Sequence, residues 1–179
     1  MTKIGNVYGE ALYTLTQEEN LSEIVLQELT ALEESFAQNP DFLRLLDAPN
    51  LPKEERCRIL DDCFRGKLHI YVLNFLKILA EKSYARHFEA CCAAFRNRFY
   101  EDNGILPVTA VTAIPLSESQ QAALSQKLSA VTEKKIQLTN RVDKTVLGGI
   151  RLDYSGIRLD DTLSHRLGDI RANLIKTVL

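Results

Sequence analysis

Residues 146–167 read VLGGIRLDYSGIRLDDTLSHRL. Three glycines fall within nine residues, and Asp160, Asp161 and His165 follow. Such a stretch is either a phosphate-cradling loop with catalytic groups beside it or a tight hairpin feeding a helix. A dinucleotide loop needs G-x-G-x-x-G between a strand and a helix, and a P-loop needs G-x-x-x-x-G-K-[ST]. Gly148-Gly149 satisfies neither, and Gly156 is followed by Ile157-Arg158-Leu159. Ile150, Leu152 and Tyr154 alternate with Arg151 and Asp153, and Ile157 and Leu159 alternate with Arg158 and Asp160. Period-two alternation predicts two short strands. Asp153-Tyr154-Ser155-Gly156 forms the turn between them, with Gly156 free to take positive φ. Asp160-Asp161 then stands where an N-cap belongs, ahead of Thr162 and a last helix striped by Leu163, Leu167, Ile170, Leu174 and Val178. At a helix start, two aspartates serve better as cap and dipole complement than as an acid–base pair. No Ser or Cys nucleophile motif accompanies His165. The stretch predicts a hairpin and no catalytic residue.

Working back from it, VTAVTAIPL from Val108 is rich in β-branched residues, bounded by prolines, and predicts a strand. Ser117 and Gln120 have capping-box spacing for a helix carrying Ala122, Leu124, Leu128 and Val131. Lys135–Thr139 alternates as a second strand, and Arg141–Lys144 breaks it. The change of character falls between Asn103 and Pro107.

Before that boundary the chain reads as helix after helix. Ile4, Val7, Tyr8, Ala11, Leu12 and Leu15 recur at helical steps and form one stripe. Asn20 and Glu23 suggest a capping box for a helix striped by Leu21, Val25, Leu29, Leu32 and Phe36. Asn39-Pro40 starts a short helix, and another runs from about Pro52 to Phe64 before Gly66. From Ile70 to Ala80 only Asn74 and Lys77 are strongly polar. A helix apolar on nearly all sides is either central to its bundle or partly covered by a partner. A sixth helix, about Tyr84 to Tyr100, carries Arg86, Arg96 and Arg98. Phe95, Phe99 and Tyr100 lie among them at helical spacing, which favours core packing over base stacking. The expected fold is mostly α: a six-helix N-terminal bundle over residues 1–104, followed by a small α/β domain over 105–179.

The totals narrow the function. The 179 residues are 45% hydrophobic and 26% charged, with a formal net charge of -2. That balance gives the whole chain no electrostatic footprint for nucleic acid. The N-terminus, MTKIGNVYGEALYTL, reads as neither a signal nor a transit peptide, and no run of apolar residues is long enough to span a bilayer. Cys57, Cys63, Cys91 and Cys92 have no zinc spacing. His87 and Cys91 share a helix face, but two ligands do not make a site, so no metal is expected.

Val142-Asp143-Lys144-Thr145-Val146-Leu147-Gly148-Gly149-Ile150-Arg151-Leu152, then Ile157-Arg158-Leu159-Asp160 and Arg166-Leu167, resembles the signature of the F-type ATP synthase delta subunit family. Its mitochondrial member is the oligomycin-sensitivity-conferring protein. Val111–Ser117, Tyr8, Ala11, Leu12, Asn39-Pro40, Asn74-Phe75-Leu76 and Arg86 agree in order along the chain. Gly9 departs from the family's usual Ala, at a cost of about 1 kcal/mol to a helix. Asp161-Thr162 replaces a common Gly-Ser.

The resemblance implies a non-catalytic stator subunit of a proton-translocating ATP synthase, with no cofactor. It would hold the N-terminal helix of an alpha subunit along the first and fifth helices, at Val7, Tyr8, Ala11, Leu12, Leu15, Leu73, Leu76 and Leu79. The C-terminal domain, with Asp143, Gly148, Gly149, Gly156 and Asp160 as its signature, would meet the b subunits of the peripheral stalk. Location would be the cytoplasmic face of a prokaryotic plasma membrane, peripheral and only through the complex. Two other readings stand beside it: a helical nucleic-acid-binding regulator resting on the arginines, and a nucleotide-handling enzyme resting on the glycines.

Overall fold

The computed structural model describes residues 3–48, 50–146, 148–154 and 156–162. Among these the chain is mostly helical with a small four-stranded sheet. It divides into two compact units, Met1–Phe99 and Tyr100–Leu179. The expected last helix and His165 lie outside the described residues.

The first unit holds α1 (Lys3–Glu18), α2 (Ser22–Gln38), α3 (Pro40–Leu46), α4 (Lys53–Phe64), α5 (Ile70–Glu81), a 3-10 turn (Ala85–His87) and most of α6 (Phe88–Asp102). Val25, Leu29, Leu32 and Phe36 of α2 are buried as their spacing predicts. The expected capping box at Asn20 does not form. Asn20 takes φ 56 in the turn, and α2 starts later, with Leu21 at its N-cap and no side-chain cap. The core is aromatic at its centre: Phe36 meets Phe88 edge-on at 5.0 Å and stacks on Phe42 at 5.5 Å. Edge-to-face and offset pairs suit the ring quadrupole.

α1 departs most from its sequence pattern. Its buried residues are Gly5, Gly9, Leu12, Tyr13 and Thr16, a face turned away from most of the expected stripe. The two glycines let α6 come close. A Cβ on Gly9 would stand 2.3 Å from the Cys91 carbonyl oxygen, and one on Gly5 would stand 2.7 Å from the Ala90 Cβ. The glycine that weakens the helix in isolation is what allows this packing. Tyr13 then reaches Phe95 edge-on at 5.5 Å.

Arg56 is buried on α4, where it fastens helix ends. It donates to the carbonyls of Leu51 (3.0 Å), Ala48 (2.7 Å) and Ala80 (2.9 Å), and to Ser83 Oγ (2.8 Å). All four acceptors are uncharged. Ala80 lies in the last turn of α5, where the helix dipole adds negative potential.

In the second unit β1 (Ile105–Thr112) runs parallel to β2 (Lys135–Val142), with α7 (Glu118–Thr132) as the crossover. β3 (Ile150–Tyr154) and β4 (Ile157–Asp160) form an antiparallel hairpin, giving the order β2-β1-β3-β4. The Ser117–Gln120 capping box forms as expected. β2 does not break at Arg141. It continues to Val142, paired with Thr112, because β1 is long enough to serve as its template. Asn140 secures that end: its amide nitrogen donates to Ala110 O and Thr112 Oγ1, and its oxygen accepts from Leu116 N, each at 2.9 Å.

Candidate partner-binding groove

Because α1 packs through Gly5 and Gly9, much of its apolar stripe is left outside the core. Ala11 is exposed and Leu15 is 43% exposed. Beside them, α5 turns Tyr71, Asn74, Phe75 and Ile78 toward the same side. Together with Tyr8, Ala11, Leu12 and Leu15 these residues line a groove of about 410 Å³. Tyr8 is braced edge-on by Tyr84 at 6.0 Å, and Tyr71 is tilted against His69 at 5.1 Å. Asn74 is the one lining residue without an apolar or aromatic body.

The end of α5 next to the groove is well anchored. The His69 backbone N–H donates to both Glu28 carboxylate oxygens at 2.9 Å, and His69 Nδ1 accepts from the Tyr71 N–H at 3.3 Å. Lys77 Nζ lies 2.7 Å from Asp61 Oδ1 on α4, which fixes the rotation of α5. A larger hollow, about 600 Å³, sits where α2 meets α3, but Ser35, Gln38, Asn39 and Asp41 line much of it. Covering those polar groups with an apolar helix face would leave them without hydrogen-bond partners, so the α1–α5 groove is the better seat for such a face.

The structure brings together only part of the expected set. Tyr8, Ala11, Leu12 and Leu15 line the groove. Val7 is 58% exposed but is not among the lining residues. Leu73, Leu76 and Leu79 lie in the core, each at most 4% exposed, and none lines the groove, whereas Leu12 and Phe75, each 5% exposed, form its floor. Tyr71, Asn74, Phe75 and Ile78 take the place of those three leucines, and these the sequence reading missed. The signal was present: Asn74, Lys77 and Glu81 are spaced i, i+3, i+7, and they mark the outer face that Tyr71 and Ile78 share.

The signature residues of the second unit shape its backbone. Gly149 has φ 83, and a Cβ there would stand 2.5 Å from the Asp161 carbonyl oxygen. Gly156 has φ 79 in the hairpin turn, while Gly148 is half-buried in the bend before β3. Asp143 and Asp160 use the same device two residues ahead of a threonine. Asp143 Oδ1 accepts from Thr145 N–H at 2.9 Å and Oγ1–H at 2.6 Å. Asp160 Oδ1 accepts from Thr162 N–H at 3.1 Å and Oγ1–H at 2.6 Å. The Thr145 side-chain and backbone hydrogen bonds hold the Asp143 carboxyl below its ordinary value.

Of the features behind the nucleic-acid reading, Phe95, Phe99 and Arg96 are used inside the fold, while Arg86 and Arg98 are exposed. Phe95 is fully buried, and Phe99 packs against the core. Arg96 forms an ion pair and hydrogen bond with Glu33 of α2. Burial raises the Glu33 carboxyl above its ordinary value against the opposing pull of Arg96. His87 packs edge-on against Tyr84 at 6.0 Å, and Cys91 is buried beside Gly9. Burial pushes the Cys91 thiol up to about 11 and raises Cys92 further.

The described chain is thus a helical unit with an apolar groove, followed by a small mixed sheet. The chain belongs to the ATP synthase delta (OSCP) subunit family, whose model matches residues 4–174. ATP synthase subunit delta of Clostridioides difficile (strain 630) is 30% identical over 176 residues, spanning 98% of this chain and 97% of that protein. The protein of the same name from Chlorobium chlorochromatii (strain CaD3) is 26% identical over 168 residues, spanning 94% of each. A chain of the cryo-EM structure of the Toxoplasma gondii mitochondrial ATP synthase hexamer shares the fold, with a TM-score of 0.76 and 17% identity. It is matched over 97% of this chain and 98% of its own length.

Proposed function

We propose that this protein is a non-catalytic stator subunit of a proton-translocating ATP synthase. In this reading the N-terminal six-helix bundle, residues 1–104, holds the N-terminal helix of an alpha subunit in the α1–α5 groove. The C-terminal α/β domain, residues 105–179, meets the b subunits of the peripheral stalk. Its signature Asp and Gly residues shape that domain and touch no substrate. The protein sits at the cytoplasmic face of a prokaryotic plasma membrane through the complex alone. Among the described residues no helix is long and apolar enough to cross a membrane.

One observation carries the reading: α1 packs inward through glycines and leaves Ala11 and Leu15 facing a groove with Phe75 and Ile78. Such a surface fits an amphipathic helix with anchors at helical spacing. A stator resists torque, so slow dissociation matters and no chemistry is needed.

The test is titration of the full chain with a peptide of the alpha subunit's N-terminal helix. Leu15→Asp and Ile78→Asp are the informative variants, since both side chains are more than two-fifths exposed and the fold tolerates the change. Each should cost about 2 kcal/mol of binding or more if the groove is the site. Binding unaffected by both variants, with each still folded, would sink the proposal. Leu73→Asp and Leu76→Asp do not serve, because they break the core.

A further inference from the structure

We infer that Asn74 fixes which helix the groove accepts and in what register, by requiring one hydrogen-bonding side chain on the bound helix among its apolar anchors. The inference rests on the reading of the α1–α5 groove as the seat of a partner helix, and it adds the chemistry that helix must carry. Asn74 is exposed on α5, between Tyr71 and Ile78 on the groove wall. Water serves its amide there. A helix laid in the groove covers the amide and removes that water. The amide has two donors and one acceptor oxygen to satisfy. Left unpaired in an apolar seam, it weakens binding by about ten-fold or more.

Beside Asn74 the lining offers only the Tyr8 and Tyr71 hydroxyls as side-chain polar groups. Ala11, Leu12, Leu15, Phe75 and Ile78 reward any apolar stripe, including one displaced by a helical turn. One polar residue in an apolar helix seam selects a single register at some cost in affinity. Within α5, Lys77 is engaged with Asp61 of α4, and Glu81 in the last turn is not among the lining residues. Tyr71 adds one hydroxyl, and Asn74 is the amide-bearing group that this helix offers to the groove. The matching residue on the partner is an amide or a hydroxyl, able to exchange a hydrogen bond with Asn74 without bringing a charge into the seam. Under sustained torque, a pinned register prevents the bound helix from slipping to the next offset.

The experiment is a double-mutant cycle on the full chain, using a synthetic peptide of the alpha subunit's N-terminal helix. The chain is compared with Asn74→Leu and Asn74→Gln, and each uncharged polar residue of the peptide is replaced in turn by leucine. Amide NMR shifts at Ala11 and Ile78 report groove occupancy, and thermal unfolding checks that each variant is folded. Asn74→Leu should weaken binding of the native peptide about ten-fold. Leucine at one peptide position should weaken binding to the native chain by as much, and should recover binding to Asn74→Leu, where that peptide residue is otherwise unpaired. If Asn74→Leu binds the native peptide as tightly, with no coupled position and with groove shifts intact, this inference is overturned and the groove reading stands. If the peptide fails to bind the native chain, or moves shifts elsewhere, the groove reading falls and this inference with it.

Discussion

Replacing Gly9 by alanine separates helix propensity from packing. Propensity alone makes Gly9→Ala stabilising by about 1 kcal/mol. The structure reverses the sign. The new Cβ would stand 2.3 Å from the Cys91 carbonyl oxygen and 2.8 Å from the Ala94 Cβ, where ordinary contact begins at 3.4 Å. A backbone oxygen cannot rotate aside as a long side chain can, so α1 must retreat from α6 by about 1 Å. A gap of that size forfeits much of the dispersion energy of the contacts beside it, including Tyr13 on Phe95. Overpacking of this kind costs about 3 kcal/mol at the upper end of its range. Propensity offsets about 1, leaving a net loss of about 2 kcal/mol. For a unit of this size that lowers the melting temperature by about 8 °C or more.

The assay is thermal unfolding of the full chain, followed by far-UV circular dichroism. Gly9→Ala combined with Ala94→Gly should recover less than half of the loss, because the closest contact is to backbone. Gly66→Ala is the control: nothing lies within 4 Å, and only its left-handed φ of 77 is at stake. That costs about 1 kcal/mol. A melting temperature unchanged or raised in Gly9→Ala refutes the packing argument. The same retreat displaces Tyr8, Ala11 and Leu15, so peptide binding to the groove should weaken as well.

Three further outcomes follow from named side chains. Arg56→Met leaves the buried carbonyl of Ala80 and the half-buried carbonyls of Ala48 and Leu51 without their charged donor, and should cost about 3 kcal/mol or more in urea unfolding. A loss below about 1 kcal/mol would show that water or a neighbour replaces it. Glu33 is raised by burial, so the folded state holds its proton more tightly than the unfolded chain does. Its contribution is therefore fully present below the unfolded value and is lost as pH rises through the folded one. Glu33→Gln should flatten stability between the ordinary glutamate range and that raised value, and parallel pH curves would contradict this assignment. Cys91 and Cys92 are buried with raised thiol pKa values; Cys57 and Cys63 are half-buried on α4, and Cys57 is itself raised, first by burial and then by Glu81. Iodoacetamide in native buffer should modify Cys57 and Cys63 and reach the other two only on unfolding, as mass mapping will show.

Patterns that report one element against water were legible in the sequence. The hairpin Ile150–Asp160, its Gly156 turn, the Ser117 capping box and the buried stripe of α2 each follow from local spacing. Patterns that depend on a neighbour were not. β2 reaches Val142 only because β1 is there to pair with it, and Asn20 turns the chain where a capping box would have started α2 early. On α5 the expected groove residues Leu73, Leu76 and Leu79 fall in the core, and on α1 Tyr8, Ala11, Leu12 and Leu15 line the groove while Val7 does not. On α5 apolar residues outnumber polar ones so heavily that the helix phase must be taken from the few polar residues, and Asn74, Lys77 and Glu81 put Leu73, Leu76 and Leu79 on the inner face. On α1 the apolar stripe itself misleads, because hydropathy assigns the core to the largest apolar side chains. Here the core contact is made by the absence of side chains at Gly5 and Gly9, which no hydrophobic period records. Packing through Gly5 and Gly9 leaves Tyr8, Ala11 and Leu15 at the groove, with the buried Leu12 as its floor.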